Sequence, residues 1–146
     1  MKKVLYTAFT ILLCVLVSCK VEPEQINYGS DACAFCKMTI VDQQHASQYV
    51  TKKGKQFKFD AIECMVNDLA EKGIEEIEIF LVADYQVPGS MTLAKEATYL
   101  ICKEIKSPMG ANLSGFASKE KALIIQKDSG GDLYTWKELL IKFDAE

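Results

Sequence analysis

Two hydrophobic periods alternate along the chain beyond residue 30. Apolar side chains at every second position predict strands, and apolar side chains at helical spacing predict helices. The pattern predicts strands at 38–42, 47–51, 56–59, 76–82, 97–103, 113–117 and 133–134, and helices that begin at Asp60, Ser118 and Thr135. The order strand, strand, helix, strand occurs twice, which predicts an α+β fold of two small sequential ββαβ-like units at about residues 31–84 and 97–146. We expect mixed or antiparallel sheets with the helices packed on one face.

The predicted helices carry recognisable end signals. Asp60 is a favourable N-cap, and Glu63 three residues later completes a capping-box-like pair. Gly73 stands where a C-terminal glycine cap is expected. The same capping-box spacing joins Thr135 to Glu138 at the last helix. These signals support the helix starts that the periodicity predicts.

The first residues have the pattern of an export signal. Two lysines precede an apolar run over residues 4–17, and that run is shorter than the roughly 20 residues that a membrane-spanning helix needs. The run closes with Leu-Val-Ser-Cys at residues 16–19, which resembles the lipobox of bacterial lipoprotein precursors. We therefore expect residues 1–18 to be a signal peptide, Cys19 to be lipidated, and residues 19–30 to form a flexible tether. The alternatives are an ordinary signal peptide with a chance cysteine, or an uncleaved anchor.

Charge narrows the range of partners for the mature chain, which consists of the tether and the domain at residues 31–146. Removing residues 1–18 lowers the formal net charge from −3 to −5, and the sequence contains no arginine. Nucleic-acid binding needs clustered basic residues, so a nucleic acid is not an expected partner.

Four cysteines remain in the mature domain: Cys33, Cys36, Cys64 and Cys102. In an oxidising compartment four cysteines can form two disulfides, with three possible pairings. The four cysteines could therefore have a purely structural role, as disulfides or as unreactive buried thiols, and not a chemical one.

The segment Cys33-Ala-Phe-Cys36-Lys-Met38-Thr-Ile carries the clearest chemical signal. If residues 36–40 are extended, the side chains of Cys36 and Met38 lie on one face of the strand. A thiol beside a thioether is a soft donor set that selects Cu(I). A thioredoxin-like redox pair is a weaker interpretation, because strand-like residues follow Cys36 where that motif requires a helix. Structural zinc is also weaker, because no second Cys-x-x-Cys pair follows.

Five further side chains are considered as ligands. Met109 lies in a Ser-Pro-Met-Gly turn and is a candidate third ligand, with core packing as the alternative. His45 is the only histidine and is expected in a polar loop, where a histidine is more often solvated. Cys64 falls off the apolar stripe of its helix and remains a possible ligand, as does Cys33. Cys102 shares a strand face with Leu100 and is expected to be buried.

Several blocks of sequence together resemble the NosL family of lipid-anchored copper chaperones. These are Cys-x-x-Cys-x-Met at 33–38, Phe-Asp-Ala-Ile-Glu-Cys-Met at 59–65, Ala-Asp-Tyr at 83–85, Ser-Pro-Met-Gly at 107–110 and Gly-Phe-Ala at 115–117. The resemblance implies a ββαβ arrangement occurring twice and a Cu(I) site at Cys36 and Met38, and it favours Met109 as a further ligand. The family commonly has glycine between the cysteine and the methionine, whereas this chain has Lys37.

The resemblance also implies a function. It predicts a non-enzymatic Cu(I) carrier in the cell envelope, anchored to a membrane through Cys19. Its partners would be nitrous-oxide reductase, during assembly of the CuZ and CuA centres, or the ABC transporter that assists this assembly. The residues themselves show no catalytic motif. The alternatives are a thiol-disulfide lipoprotein that uses Cys33 and Cys36, and an anchored interaction module with structural cysteines.

Overall fold

A computed structural model of the protein describes residues 21–145. The predicted signal peptide and Cys19 therefore lie outside the described residues. Within that range, no helix has both the length and the apolar composition needed to cross a membrane.

The first half of the described chain forms a four-stranded sheet with one helix. Its elements are β1 (Ser47–Thr51), β2 (Gln56–Phe59), α1 (Ile62–Lys72), β3 (Ile77–Ala83) and β4 (Met91–Leu93). The strands lie in the order β2-β1-β3-β4, and every neighbouring pair is antiparallel. The short strand β4 lies within the segment that separates the two predicted units.

The second half repeats the same order and adds a final helix. Its elements are β5 (Thr98–Ile101), β6 (Leu113–Phe116), α2 (Lys119–Ser129), β7 (Asp132–Tyr134) and α3 (Trp136–Lys142). The strands lie in the order β6-β5-β7 and are again antiparallel. The predicted α+β fold with two ββαβ-like units is confirmed.

Helix capping follows the sequence at two of the three helices. The Ser118 side chain accepts a hydrogen bond from the Lys121 amide, and Thr135 forms a complete capping box with Glu138. At α1 the prediction is wrong, because the N-cap is Ala61 and it makes no side-chain cap. The acidic side chains predicted to cap α1 are used elsewhere, as described below.

One hydrophobic core joins the two halves. Both halves contribute large buried side chains to it. The first half supplies Phe59, Ile62, Met65 and Phe80, and the second half supplies Tyr99, Leu113, Trp136 and Leu139. Gly115 of β6 is the point of closest approach, because a Cβ atom there would lie 3.0 Å from the Ala83 carbonyl oxygen and 3.2 Å from the Ile62 side chain. The absence of a side chain at this position lets β6 pack directly on β3 and α1.

The end of the predicted tether packs along β2. Gln56 Nε2 donates a hydrogen bond to the Glu22 carbonyl at 3.0 Å, and the Glu24 amide donates to Gln56 Oε1 at 3.2 Å. Lys58 Nζ donates to the Gln25 carbonyl at 2.9 Å, and the side chain of Ile26 is buried in the core. Residues 22–26 thus contact the domain, which the tether prediction for residues 19–30 did not include.

Candidate metal site

The cysteine-rich segment forms a tight turn and not the predicted strand at 38–42. The Cys33 amide donates a hydrogen bond to the Met38 carbonyl at 2.8 Å, and the Lys37 amide donates to the Cys33 carbonyl at 3.1 Å. A single bridge between Ala32 and Thr39 closes the turn. The prediction that Cys36 and Met38 share one strand face is therefore wrong, because the backbone reverses between them.

Lys37 makes this reversal possible at a cost in backbone energy. Its φ angle is +69°, in the left-handed region that glycine adopts readily and other residues adopt with strain. Its Nζ atom donates a hydrogen bond to the Ala34 carbonyl across the turn. The glycine that the family commonly has at this position is the residue that the backbone conformation favours.

We expect Lys37→Gly to stabilise the domain by about 0.5–1 kcal/mol. Relief of left-handed strain is worth about 1–2 kcal/mol, and the greater freedom of glycine in the unfolded chain offsets part of that gain. Urea unfolding of the reduced protein measures the difference. Lys37→Ala is the matched control, because it removes the same charge and hydrogen bond but keeps the strained Cβ atom. Equal stability of the two variants would show that backbone strain is not the cause.

Three cysteine thiols and one carboxylate converge beneath the turn. The sulfur atoms of Cys33, Cys36 and Cys64 and a carboxylate oxygen of Asp60 all lie within 4.8 Å of one another. None of these cysteines is in a disulfide. Cys33, Cys64 and Asp60 are at most 3% exposed, whereas Cys36 is half-buried. We call these four residues the thiol cluster.

Hydrogen bonds fix the orientation of the thiol cluster. Asp60 Oδ1 accepts from the Cys36 thiol at 3.4 Å and from the Cys64 thiol at 3.2 Å. The Cys64 thiol, whose single S–H is shared between Asp60 and Cys33, lowers the pKa of Cys33 to about 6 against the opposing effect of burial. The interaction with Cys33, together with burial, raises the pKa of Cys64, and burial raises the pKa of Cys36. These interactions favour the thiolate form at Cys33, which is the form of cysteine that binds metals.

Two of the candidate ligands are exposed methionines, one in the cysteine-rich turn and one in a turn held at the start of α1. Met38 ends the cysteine-rich turn and is 55% exposed, and Met109 is 42% exposed. The turn that carries Met109 is held to the start of α1, because a carboxylate oxygen of Glu63 accepts hydrogen bonds from the Ser107 hydroxyl and from the Ala111 amide at 3.3 Å. The second half of the chain thus brings Met109 to the helix end that carries Cys64.

The sequence model of the NosL family matches residues 25–142. The chain belongs to the NosL family. The crystal structure of the copper chaperone NosL from Shewanella denitrificans has the same fold, with a TM-score of 0.71 and 19% sequence identity over 82% of this chain and 96% of that chain. No curated protein sequence matches this chain. The resemblance seen in the sequence is confirmed, and the matched span includes the whole thiol cluster.

In this NosL family member His45 lies in the interior and not in a solvated loop. Its ring nitrogens contact Asp42 Oδ2 at 2.9 Å and Ser114 Oγ at 3.1 Å. The order Asp, His, Ser is that of a hydrolase triad, but Ser114 is fully buried and no substrate can reach it. His45 instead joins the segment before β1 to β6. Cys102 is buried as expected, and its thiol donates to the Ser129 carbonyl at 3.1 Å, outside the thiol cluster.

The geometry favours metal binding over thiol-disulfide exchange. An oxidoreductase needs an accessible attacking thiol of low pKa, usually at a helix N-terminus. In this NosL family member the cysteine with the lowered pKa is Cys33, which is buried, whereas burial raises the pKa of the more accessible Cys36. The Cys-x-x-Cys pair also lies in a turn with no helix after it. The cysteine with the lowered pKa is therefore not the one that a partner disulfide could reach.

Sequence reasoning missed Asp60 as a member of the thiol cluster and, although it kept Cys64 as a possible ligand, did not predict that Cys64 is buried. Asp60 was predicted as a helix cap and instead accepts hydrogen bonds from two thiols. Cys64, which falls off the apolar stripe, is buried because the cysteine-rich turn covers that side of α1. The sequence signal that could have indicated this contact is spacing. Residues four apart meet on one face of a helical turn, and Asp60 and Cys64 are four apart.

Proposed function

We propose that this protein is a non-enzymatic Cu(I) carrier that binds the ion at the sulfur atoms around Cys36 and passes it on by ligand exchange. The observation that carries the proposal is the half-buried thiol of Cys36 at the edge of a group of free cysteines, two residues from the exposed thioether of Met38. Soft sulfur donors of these kinds favour Cu(I) over zinc, calcium or magnesium. Membership of the NosL family, and the fold shared with a copper chaperone, support the same cargo.

The exposure of the methionines supports transfer and not permanent retention. A structural metal site is closed by its ligands, whereas a carrier needs a position that a receiving protein can approach. Met38, two residues from Cys36, and Met109, in the turn held at the start of α1, are both substantially exposed. A thioether is a neutral and weaker donor than a thiolate, so an incoming sulfur ligand displaces it first.

The site of action that we propose is the cell envelope. Lipid on Cys19 would hold the carrier at a membrane surface, since acyl chains contribute about 0.8 kcal/mol per buried methylene. The client that family membership favours is nitrous-oxide reductase, reached directly or through its assembly transporter. The anchor is checked by mass spectrometry of the mature N-terminus, where an unmodified Cys19 would contradict it.

Titration with Cu(I) tests the site. The reduced mature chain carrying Cys19→Ser, which prevents lipidation, is titrated without oxygen against a chromogenic Cu(I) chelator. Removing a group that merely supports a metal ligand costs 10- to 100-fold in affinity, so we expect Cys36→Ser to weaken binding by more than about 100-fold. We expect Met38→Leu to weaken binding by a smaller factor, because the lost donor is uncharged, and to slow transfer to the chelator.

Matched controls separate these effects from general damage. Cys102→Ser removes a buried thiol outside the thiol cluster, and Met91→Leu removes a methionine of β4; both are expected to bind as the parent does. If Cys36→Ser and Met38→Leu also bind as tightly as the parent, the assigned site is wrong. Copper transfer from the loaded parent to copper-free nitrous-oxide reductase, with its maturation machinery present, tests the client.

A further inference from the structure

Two thiols of the cluster lie deeper than a carrier using only Cys36 and Met38 requires. Cys33 and Cys64 are each 1% exposed, yet their sulfur atoms lie within 4.8 Å of the more accessible sulfur of Cys36. Within residues 21–145, neither thiol is used in a disulfide. Buried free thiols have no packing advantage over apolar side chains of the same size, so the presence of Cys33 and Cys64 beside Cys36 calls for a separate explanation.

We propose that Cys33, Cys36 and Cys64 form an inner three-thiolate Cu(I) site, in which the ion resides between transfers, behind an outer position made by Cys36 and Met38. This inference rests on the proposed carrier function and adds to it the ligands of the resting state. Cys36 belongs to both positions, so the ion moves between them without leaving the protein.

The spacing of the sulfur atoms suits a single ion. With thiolate–metal bonds of about 2.3 Å, three sulfur atoms in one plane around an ion lie about 4 Å apart. The three sulfur atoms of the thiol cluster already lie within 4.8 Å of one another, so a contraction of less than about 1 Å completes the site. Side-chain torsions alone can supply a movement of that size.

The three thiols belong to two elements, the cysteine-rich turn and helix α1, and each element is held in place by the fold. Cys33 and Cys36 belong to the cysteine-rich turn, which is attached to β2 by a hydrogen bond of 2.8 Å from the Ala34 amide to the Lys58 carbonyl. Cys64 lies in the first turn of α1, where the helix dipole favours a negative ligand. Because the frame is set before the ion arrives, little ordering is needed on binding.

Asp60 positions the sulfur atoms and is not needed as a ligand. Its Oδ1 atom accepts hydrogen bonds from both Cys36 and Cys64, so both thiols are directed toward one point. Cu(I) displaces the thiol protons of these cysteines, which are released to solvent, and three thiolates around one Cu(I) carry excess negative charge. The N-terminal dipole of α1 offsets part of that charge, so the buried anionic site has a local compensation.

Graded exposure gives the site a direction. An ion on the inner thiols is shielded, because Cys33 and Cys64 are covered, whereas Cys36 and Met38 are more exposed and offer an acceptor the easier approach. Release then proceeds by loss of the two inner thiolates while the outer sulfurs still hold the ion. The inner site retains copper, and the outer position delivers it.

X-ray absorption at the copper edge, combined with affinity measurements, tests the inner site. The mature chain carrying Cys19→Ser and loaded with one Cu(I) is expected to show three sulfur neighbours. Cys33→Ser and Cys64→Ser are each expected to reduce this number to two and to weaken binding by about tenfold or more. Cys102→Ser is the control for loss of a buried thiol and is expected to keep three sulfur neighbours and parental affinity.

The outcomes separate the inner site from the carrier function. Parental affinity and three sulfur neighbours in both Cys33→Ser and Cys64→Ser, with weakened binding in Cys36→Ser, would overturn the inner site and leave the carrier intact. Parental affinity in all three variants would overturn both. The sulfur count of the parent requires no variant, so a parent with two sulfur neighbours would overturn the inner site even if a substitution prevented folding.

Discussion

Replacing His45 with alanine is expected to lower the free energy of unfolding by about 3–4 kcal/mol and to leave Cu(I) affinity unchanged. The imidazole is buried between Asp42 and Ser114, and its ring lies 5.5 Å from that of Tyr85. The substitution removes two hydrogen bonds, leaves the buried Ser114 hydroxyl without this partner, and opens a cavity. Each of these losses destabilises the folded state.

Guanidinium unfolding of the reduced protein measures the stability, and the Cu(I) titration measures the affinity. Asp42→Asn is the matched variant, because it keeps the size of the residue that contacts His45 and removes only its charge. We expect it to cost less than His45→Ala. A His45→Ala protein of parental stability that has lost Cu(I) affinity would reverse the assignment and make His45 a ligand.

His45 shows how the two halves of the fold are held together around the metal site. The histidine precedes β1, and Ser114 lies in β6 of the second sheet. The Tyr85 amide donates to the Gly115 carbonyl at 2.8 Å beside this contact. The halves therefore share polar contacts as well as a core.

The element order was predictable from the sequence because it depends on local periods. Alternation in β3 and the caps Ser118 and Thr135 are signals that neighbouring residues carry by themselves. The segment 38–42 has the same kind of alternation, but Lys37 takes a left-handed conformation and the chain turns back. A lysine gives no sign of that conformation, whereas the glycine common in the family would have indicated a turn.

The candidate site was less predictable because it joins distant segments. Cys36 could be selected from its own neighbourhood, but Cys64 becomes part of the cluster only through the packing of the cysteine-rich turn on α1. Asp60 and Glu63 fit a capping pattern, and their actual partners are thiols and the Ser107 hydroxyl. His45 lies among polar residues in sequence, and its burial depends on Ser114, which is 69 residues away.

Replacing Glu63 with alanine is expected to destabilise the protein by about 2–3 kcal/mol, because a buried carboxylate that accepts two hydrogen bonds is lost. Its Oε1 atom accepts from the Ser107 hydroxyl and the Ala111 amide, and the Ser107 hydroxyl in turn accepts from the Asn112 amide at 2.8 Å. This chain of bonds holds the turn that carries Met109. Its loss is expected to increase hydrogen exchange at the Ala111 and Asn112 amides as well as to lower the unfolding free energy.

Glu63→Gln separates the hydrogen bonds from the charge. The amide oxygen can accept the same two bonds, and the Oε2 atom that it replaces is buried without a hydrogen-bond partner. We therefore expect the glutamine variant to stay within about 1 kcal/mol of the parent and to keep the Ala111 and Asn112 amides protected. If glutamine destabilises the protein as much as alanine does, the charge and not the bond pattern holds the turn. If neither variant changes exchange at these amides, Glu63 does not position Met109, and packing alone holds the Met109 turn at the start of α1.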